Sequence, residues 1–446
     1  MKKTLARFLQ TLIVVFMVIV LTTSSSSVLI ISQKNTDIFS TKELVNPRST
    51  NEKIDEILSI IDEALILKYL QYLVGLGPRV TGTYGCEKAA QYIHAQFTDI
   101  RLVTRYHNWT MWRNLRHPYF YTSQNVEGTL PGTNTKDTSL ILFNAHYDSV
   151  AAGPGANDDG SGTAAVLAAA YALSQFEFQR SLRFVTFSGE EIGLMGSRAY
   201  ANDAYERNDN ILVEINADMI GHDEGSKRMT VTATEDVGWV ADVFQHINTV
   251  YQIGLTVNRG TINRIQHRMS GSDFASFLPY SWESICCWQG DHDPNYHSAR
   301  DNLSNVNISY LVNTTRIIAA SLAYLADITD TPPQVRITSP RVGFLYNAGM
   351  KKRKIGEFKT TVINDIWIWA EADQAVPFRY VQFFYDGKLV YNDTEAPFAW
   401  HFNKFSLRNH QITVVSTDDL GRISLDWREI RFVNILKKLD NKGKNR

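Results

Sequence analysis

The chain has 446 residues, 44% of them apolar and 20% charged, and 45 basic against 46 acidic residues leave a formal net charge of -1. That balance excludes a disordered or collagen-like chain and gives no electrostatic surplus for a polyphosphate, so no nucleic-acid partner is expected. Three cysteines cannot build a disulfide scaffold, and folding must rest on buried apolar surface in one large domain and one small one.

Lys2, Lys3 and Arg7 precede an uncharged stretch from Phe8 to Gln33. Its apolar core and the small residues Thr22 to Ser27 have the form of an export signal, whereas residues 8–31 taken together are long enough to span a bilayer of roughly 30 Å. Residues 1–33 are therefore read as a signal peptide or a membrane anchor. Under both readings the basic flank stays inside and the rest of the chain is extracytoplasmic, secreted or membrane-anchored. Sequons at Asn108, Asn302, Asn307, Asn313 and Asn392 fit an exported glycoprotein. Residues 34–51 read as a linker.

From Glu52 to Leu76, apolar residues recur at helical spacing until Gly75, Gly77 and Pro78 end the pattern, and a second helix is predicted at Glu87 to Phe97. Strand-like and helical runs then alternate: Ser139 to Ala145, Gly162 to Phe176, Ser181 to Ser188 and Ile211 to Ala217. A helix at Val237 to Tyr251, a strand at Ser284 to Trp288 and a helix at Ile308 to Ala326 follow. This alternation predicts an α/β domain over 52–330, a mixed sheet covered by helices on both faces. Asp330-Thr331-Pro332-Pro333 breaks the pattern.

Over 334–434 the texture changes to short β runs: Val335 to Thr338, Thr360 to Ala370, Tyr380 to Tyr385, Leu389 to Asn392, Gln411 to Ser416 and Glu429 to Val433. Asp386-Gly387 between two of them is a hairpin signal. The segment is expected to form a small all-β sandwich, similar in texture to immunoglobulin-like modules, serving as a spacer or docking to a surface or partner. Residues 435–446 read as a basic tail.

The chemistry-bearing residues lie in the first domain. Asn144-Ala145-His146-Tyr147-Asp148-Ser149 ends an apolar strand and offers an imidazole with a carboxylate two residues on. Asn157-Asp158-Asp159-Gly160-Ser161-Gly162 opens the Ala-rich helix; an N-cap explains its acids, but an ordinary cap does not need its glycines. Ser188-Gly189-Glu190-Glu191 closes another strand, where neighbouring side chains point opposite ways, so one carboxylate can bind metal while the other faces substrate and water. Asp218 ends the next strand, and His297 lies in a loop beyond the last one. Taken singly, these motifs are accounted for by turns and caps without any site. Together they supply nitrogen and oxygen ligands suited to zinc, with a carboxylate left over as base.

In order and neighbours these residues resemble the two-zinc aminopeptidase family, which includes leucyl aminopeptidases and glutamate-carboxypeptidase-like proteins. The resemblance spans roughly residues 52–327. It implies that Asp158 bridges two zinc ions, that His146 and Asp218 complete one site, and that Glu191 and His297 complete the other. It casts Glu190 as general base and acid and Asp148 as the partner that orients His146. Ser272-Asp273 is similar to an acidic position of the family, and no residue is assigned to stabilise the tetrahedral intermediate.

The expected activity is release of N-terminal residues from peptides with a free N-terminus, because no arginine cluster offers itself for a substrate carboxylate. Two alternatives stay open: a single-zinc enzyme similar to glutaminyl cyclases, and a non-catalytic surface binding protein. Cys286-Cys287 is expected to pack as small apolar residues, and Cys86 can pair with one of them only where the fold brings the segments together.

Overall fold

The computed structural model describes residues 51–113, 119–234, 238–262, 271–328, 331, 334–356, 358–372, 378–418 and 423–434. The expected signal or anchor at 1–33, nearly all of the linker and the basic tail lie outside the described residues. Among the described residues no helix is long and apolar enough to cross a membrane. Two compact units are present, Pro47–Thr329 and a second one beginning at Asp330.

The first unit opens with α1 (Glu52–Ile60) and α2 (Glu63–Gly75). The single helix predicted here is divided at Ile61, which is extended, because the Asp62 carboxylate accepts the Leu65 N–H and so caps a new helix. Next come α3 (Tyr84–Asp99), β1 (Val103–Arg113), β2 (Tyr119–Leu130), β3 (Leu140–His146), α4 (Gly160–Leu173), β4 (Ser181–Phe187), α5 (Met195–Arg207) and β5 (Ile211–Ala217). The unit finishes with β6 (Arg228–Thr234), α6 (Gly238–Val250), β7 (Thr256–Ile262), β8 (Glu283–Gln289) and α7 (Ile308–Asp327).

The eight strands form one mixed sheet in the order β1-β2-β4-β3-β5-β8-β6-β7, with β4, β3, β5 and β8 mutually parallel. β3 and β5 are buried at every position, as strands covered on both faces must be. Every residue of α4 except Tyr171 is buried, since a helix apolar all round has to lie inside a layer. Its alanines join Phe143, Ala145, Leu182 and Phe184 of one sheet face in the main core. On the other face, Phe187 packs its ring against Tyr200 of α5 and against Phe277. Since β4 follows β3 on one side while β5 lies on the other, the chain reverses its winding around β3. Such a switch point opens a crevice at the carboxyl ends of the strands.

The second unit comprises β9 (Val335–Ser339), β10 (Phe344–Asn347), β11 (Met350–Lys354), β12 (Thr360–Ile363), β13 (Ile366–Ala372), β14 (Phe378–Tyr385), β15 (Lys388–Asp393), β16 (Phe398–Phe402), β17 (Asn409–Asp418) and β18 (Ile423–Val433). A sheet β11-β10-β12-β18-β17-β14-β15 and a sheet β16-β13-β9 share one apolar core, to which Ile368, Trp400 and Phe402 of the smaller sheet and Val381, Phe383 and Val414 of the larger contribute. The larger sheet is not wholly antiparallel, because β12 pairs in parallel with both β10 and β18. The run expected from Thr360 to Ala370 is two strands, parted where Asn364 adopts a left-handed φ of 67°. Asp386 and Gly387 both have positive φ, as a two-residue hairpin turn requires.

Candidate metal centre

His146 is the last residue of β3, and Asp218 follows the last residue of β5, its strand neighbour. The His146 Nδ1 lies 3.1 Å from the Asp148 carbonyl oxygen. A carbonyl only accepts, so Nδ1 is the donor there and Nε2 is the ring nitrogen turned toward the acids. That Nε2 faces Asp158 Oδ1 at 3.3 Å and Asp218 Oδ1 at 3.7 Å. The Asp148 carboxylate, expected from the sequence to orient His146, is 3.5 Å from Nδ1. It also accepts the Thr81 hydroxyl at 2.8 Å and the Glu190 N–H at 3.3 Å, so it ties the imidazole to the backbone of the glutamate pair.

On the other side of Asp158, His297 Nε2 lies 3.1 Å from Asp158 Oδ2 and 3.0 Å from Glu191 Oε2. Donor atoms thus converge in two groups, His146, Asp158 and Asp218, and Asp158, Glu191 and His297, with Asp158 common to both. All five residues named as ligands from the sequence are brought together. The fit to metal rests on their unmet valences: His146 Nε2, Asp158 Oδ2 and Glu191 Oε1 are buried without a hydrogen-bond partner, a costly state unless a cation completes it. Imidazole nitrogen with carboxylate oxygen is a donor set suited to zinc.

The Asp158 loop is pinned by three buried side chains, Arg79, Asp301 and Asp159. Arg79 is fully buried and its guanidinium donates to the carbonyls of Tyr147, Pro154 and Gly155. Asp301, four residues after His297, accepts the N–H groups of Asn157 at 2.7 Å and Asp158 at 3.1 Å, and so couples the two ligand loops. Asp159 caps α4 by accepting the Gly162 N–H, and its carboxylate also accepts from His146 N and Met219 N. The glycines are needed: a Cβ on Gly162 would meet the Ala217 carbonyl oxygen at 2.2 Å.

Electrostatics follow from the crowding of acids. Burial alone would lower the His146 imidazole, but Asp148, Asp158 and Asp218 outweigh it and raise it well above its ordinary value. Burial, reinforced by Asp218, Asp273 and Asp148 against the pull of His146, raises the Glu190 carboxyl well above the carboxylate range. Burial pushes Glu191 up to about 7 and Asp273 up to about 7. A pocket this negative is built for cations.

Sequence reasoning missed Arg79, Thr81, Asp159, Asp301 and Tyr296 as working parts. Tyr296 stacks on the His297 ring with centroids 3.8 Å apart and stays half exposed. Burial raises its phenol beyond the ordinary range, and Asp158, Glu191, Asp218 and Glu190 add to the shift. Only the adjacency of Tyr296 to His297 in sequence signalled it. Cys286 and Cys287 are free and buried, as the packing reading expected, and Cys86, whose pairing was left open, is also free and buried.

Comparison with known proteins agrees with this geometry. Residues 125–322 match the profile of Peptidase family M28. The aminopeptidase YwaD of Bacillus subtilis is 29% identical over 209 residues, 45% of this chain and 44% of that protein; the chain thus spans about half the length of such relatives. The solved aminopeptidase from Aneurinibacillus sp. strain AM-1 superposes with a TM-score of 0.54 at 19% identity, covering 63% of this chain and 98% of that one. The glutaminyl cyclase of Fimbriiglobus ruber does so with a TM-score of 0.51 at 15% identity, covering 59% and 95%. At these identities the superpositions show the fold alone. The fold, the order of the ligand motifs and the profile match agree: residues 125–322 of the first unit are similar to peptidase family M28.

Proposed function

We propose that the chain is an exported zinc exopeptidase, most specifically an aminopeptidase that holds two zinc ions and releases N-terminal residues from peptides. The carrying observation is the pair of donor groups that share Asp158. A shared carboxylate between two imidazole-bearing groups suits a pair of divalent cations better than one. In this reading His146, Asp158 and Asp218 hold one ion, and Asp158, Glu191 and His297 hold the other.

Bound there, zinc supplies Lewis-acid polarisation of the scissile carbonyl and acidifies water toward neutrality. The protein's own part is proton handling. Glu190 takes the proton of the attacking water and returns it to the leaving amine. Asp148 holds the Glu190 backbone N–H and the Thr81 hydroxyl, which fixes the base relative to His146. The Tyr296 hydroxyl, kept protonated, is a donor available to an oxyanion at the mouth of the site. The principal charged neighbours of Glu190 are His146 and the acids Asp218, Asp273 and Asp148, surroundings that favour a substrate ammonium over a carboxylate.

The test is metal content measured alongside hydrolysis of aminoacyl anilides and N-terminal-glutamine peptides, before and after chelation. Two zinc per chain and chelator-sensitive release of N-terminal residues are expected. One zinc with pyroglutamate formation would transfer the chain to cyclase chemistry, and neither metal nor turnover would leave a binding protein. Export, and with it anchoring through residues 8–31 or glycosylation at the sequons, is part of the proposal and rests on the N-terminal segment. The second unit is proposed to act as a spacer or to dock on a surface or partner.

A further inference from the structure

Two residues before His146 and Asp218, a polar row crosses the fully buried strands β3 and β5. Asn144 of β3 is in register with Asn216 of β5, and Asn216 is in register with Cys286 of β8. All three are fully buried. The Asn216 Nδ2 donates to Asn144 Oδ1 at 3.0 Å, and the Cys286 thiol donates to Asn216 Oδ1 at 3.1 Å. The Asn144 Nδ2 in turn donates to Glu214 Oε1 and to the Ile215 carbonyl. Two buried amides and a buried carboxyl are an expensive way to fill a position that Leu or Val would fill at no polar cost.

Their placement explains them. Side chains two apart on a strand share a face, so Asn144 lies beneath His146 and Asn216 beneath Asp218. The pairing of β3 with β5 is also not continuous: Leu140 pairs with Ile211, but Ile141 pairs with Val213. Continuing the first offset would set Asn144 opposite Ile215 and displace Asp218 by one residue relative to His146. Apolar neighbours of similar size would not discriminate strongly between the two registers, whereas the amide pair is satisfied in only one.

We propose that Asn144 and Asn216, completed by Cys286, are positioning residues: they select the register of β3 against β5 after the irregularity and thereby set the spacing of His146 and Asp218. The inference rests on the metal-site reading above and makes no contact with metal or substrate itself. It predicts that the row governs the His146 and Asp218 site more than the Glu191 and His297 site.

The test uses the full chain and cobalt(II) as spectroscopic probe, with zinc affinity measured by chelator competition. The paired replacement Asn144→Leu with Asn216→Leu removes both amides without stranding one. It should leave a cooperatively folded metal-free protein, weaken one of the two metal sites about tenfold or more, alter the cobalt absorption and lower kcat more than it changes KM. Where that protein does not fold, Cys286→Ala is the milder probe: a small change in the cobalt absorption and in one zinc affinity is expected, with recovery in Cys286→Ser, which restores a donor. Folded variants with native zinc affinities and a native cobalt spectrum would overturn the positioning role while leaving the metal site intact. Failure of the unaltered protein to bind cobalt or zinc would instead overturn the metal reading, and this inference with it.

Discussion

Glu190 and Glu191 are adjacent in sequence, but they do not continue the extended chain of β4 as expected from the sequence: the strand ends at Phe187, and the N–H groups of Gly193 and Leu194 close a turn on the Glu190 carbonyl. Glu191 reaches His297, and in the proposed function Glu190 is the carboxylate assigned to proton transfer. Glu190→Gln should therefore retain the metals and lose nearly all turnover, a fall in kcat of about 100-fold or more, read from steady-state kinetics with metal analysis on the same sample; native kcat would refute the assignment.

Glu214 makes a prediction of a different kind. Burial, partly offset by Asn144 and Ser284, raises its carboxyl to about 8, whereas an unfolded glutamate titrates near about 4.3. The folded state thus binds the extra proton between those values. Its contribution to stability is fully present below the unfolded value and is lost as pH rises through the folded one. Denaturant unfolding across that window should show stability falling with pH by at most about 1.4 kcal/mol per unit from this group. Glu214→Gln, which keeps the acceptor for Asn144, should flatten that dependence; an unchanged slope would show that the carboxyl is not protonated in the fold.

At the scale of elements, turns and caps carry more than their length suggests. In the second unit the β14 to β15 turn is fastened by His410 of β17. Its Nδ1 lies 2.7 Å from Asp386 Oδ2, and its Nε2 lies 2.6 Å from Ser406 Oγ and 2.8 Å from the Tyr385 hydroxyl. His410 and Ser406 are buried, so this arrangement fastens three segments. His410→Ala removes the partner shared by Asp386, Tyr385 and the buried Ser406 hydroxyl, which keeps only the Arg408 N–H, and should cost about 1–3 kcal/mol in chemical denaturation of the second unit, with metal binding and peptidase kinetics unmoved. The terminal strand β11 shows another device. Lys351, Lys352, Arg353 and Lys354 are all exposed on an edge strand, where charge discourages pairing with other chains.

For the whole molecule, the units have separate cores, and among the described residues the donor groups lie in the first alone. Metal that binds only the folded state stabilises by mass action, about 4 kcal/mol at a free concentration a thousandfold above Kd. Calorimetry of the full chain with and without chelator should show a transition that falls on metal removal and another that does not. Equal displacement of all unfolding would mean that the units melt together.

The sequence by itself determined the parts whose signal is local. Buried parallel strands such as Ile211–Ala217 are short, mostly apolar runs, the Asp386-Gly387 turn demands positive φ, and His146, Asp158, Glu190, Glu191, Asp218 and His297 announce themselves by residue type and neighbours. Tertiary structure decided the rest. The β1 to β2 ribbon escaped notice because its inward positions include His107 and Asn125, polar residues buried by pairing with each other. α5 opens with Met195 and Gly196 and shows little apolar periodicity, since much of it is held by the Tyr200 contacts. Arg79, Asp301 and the Asn144 to Cys286 row act through hydrogen bonds across long sequence separations, and no window of sequence displays which distant carbonyl or N–H a side chain will meet. The chain names its ligands locally, but the distances between them are set by strand register and loop anchors that exist only once the sheet has formed.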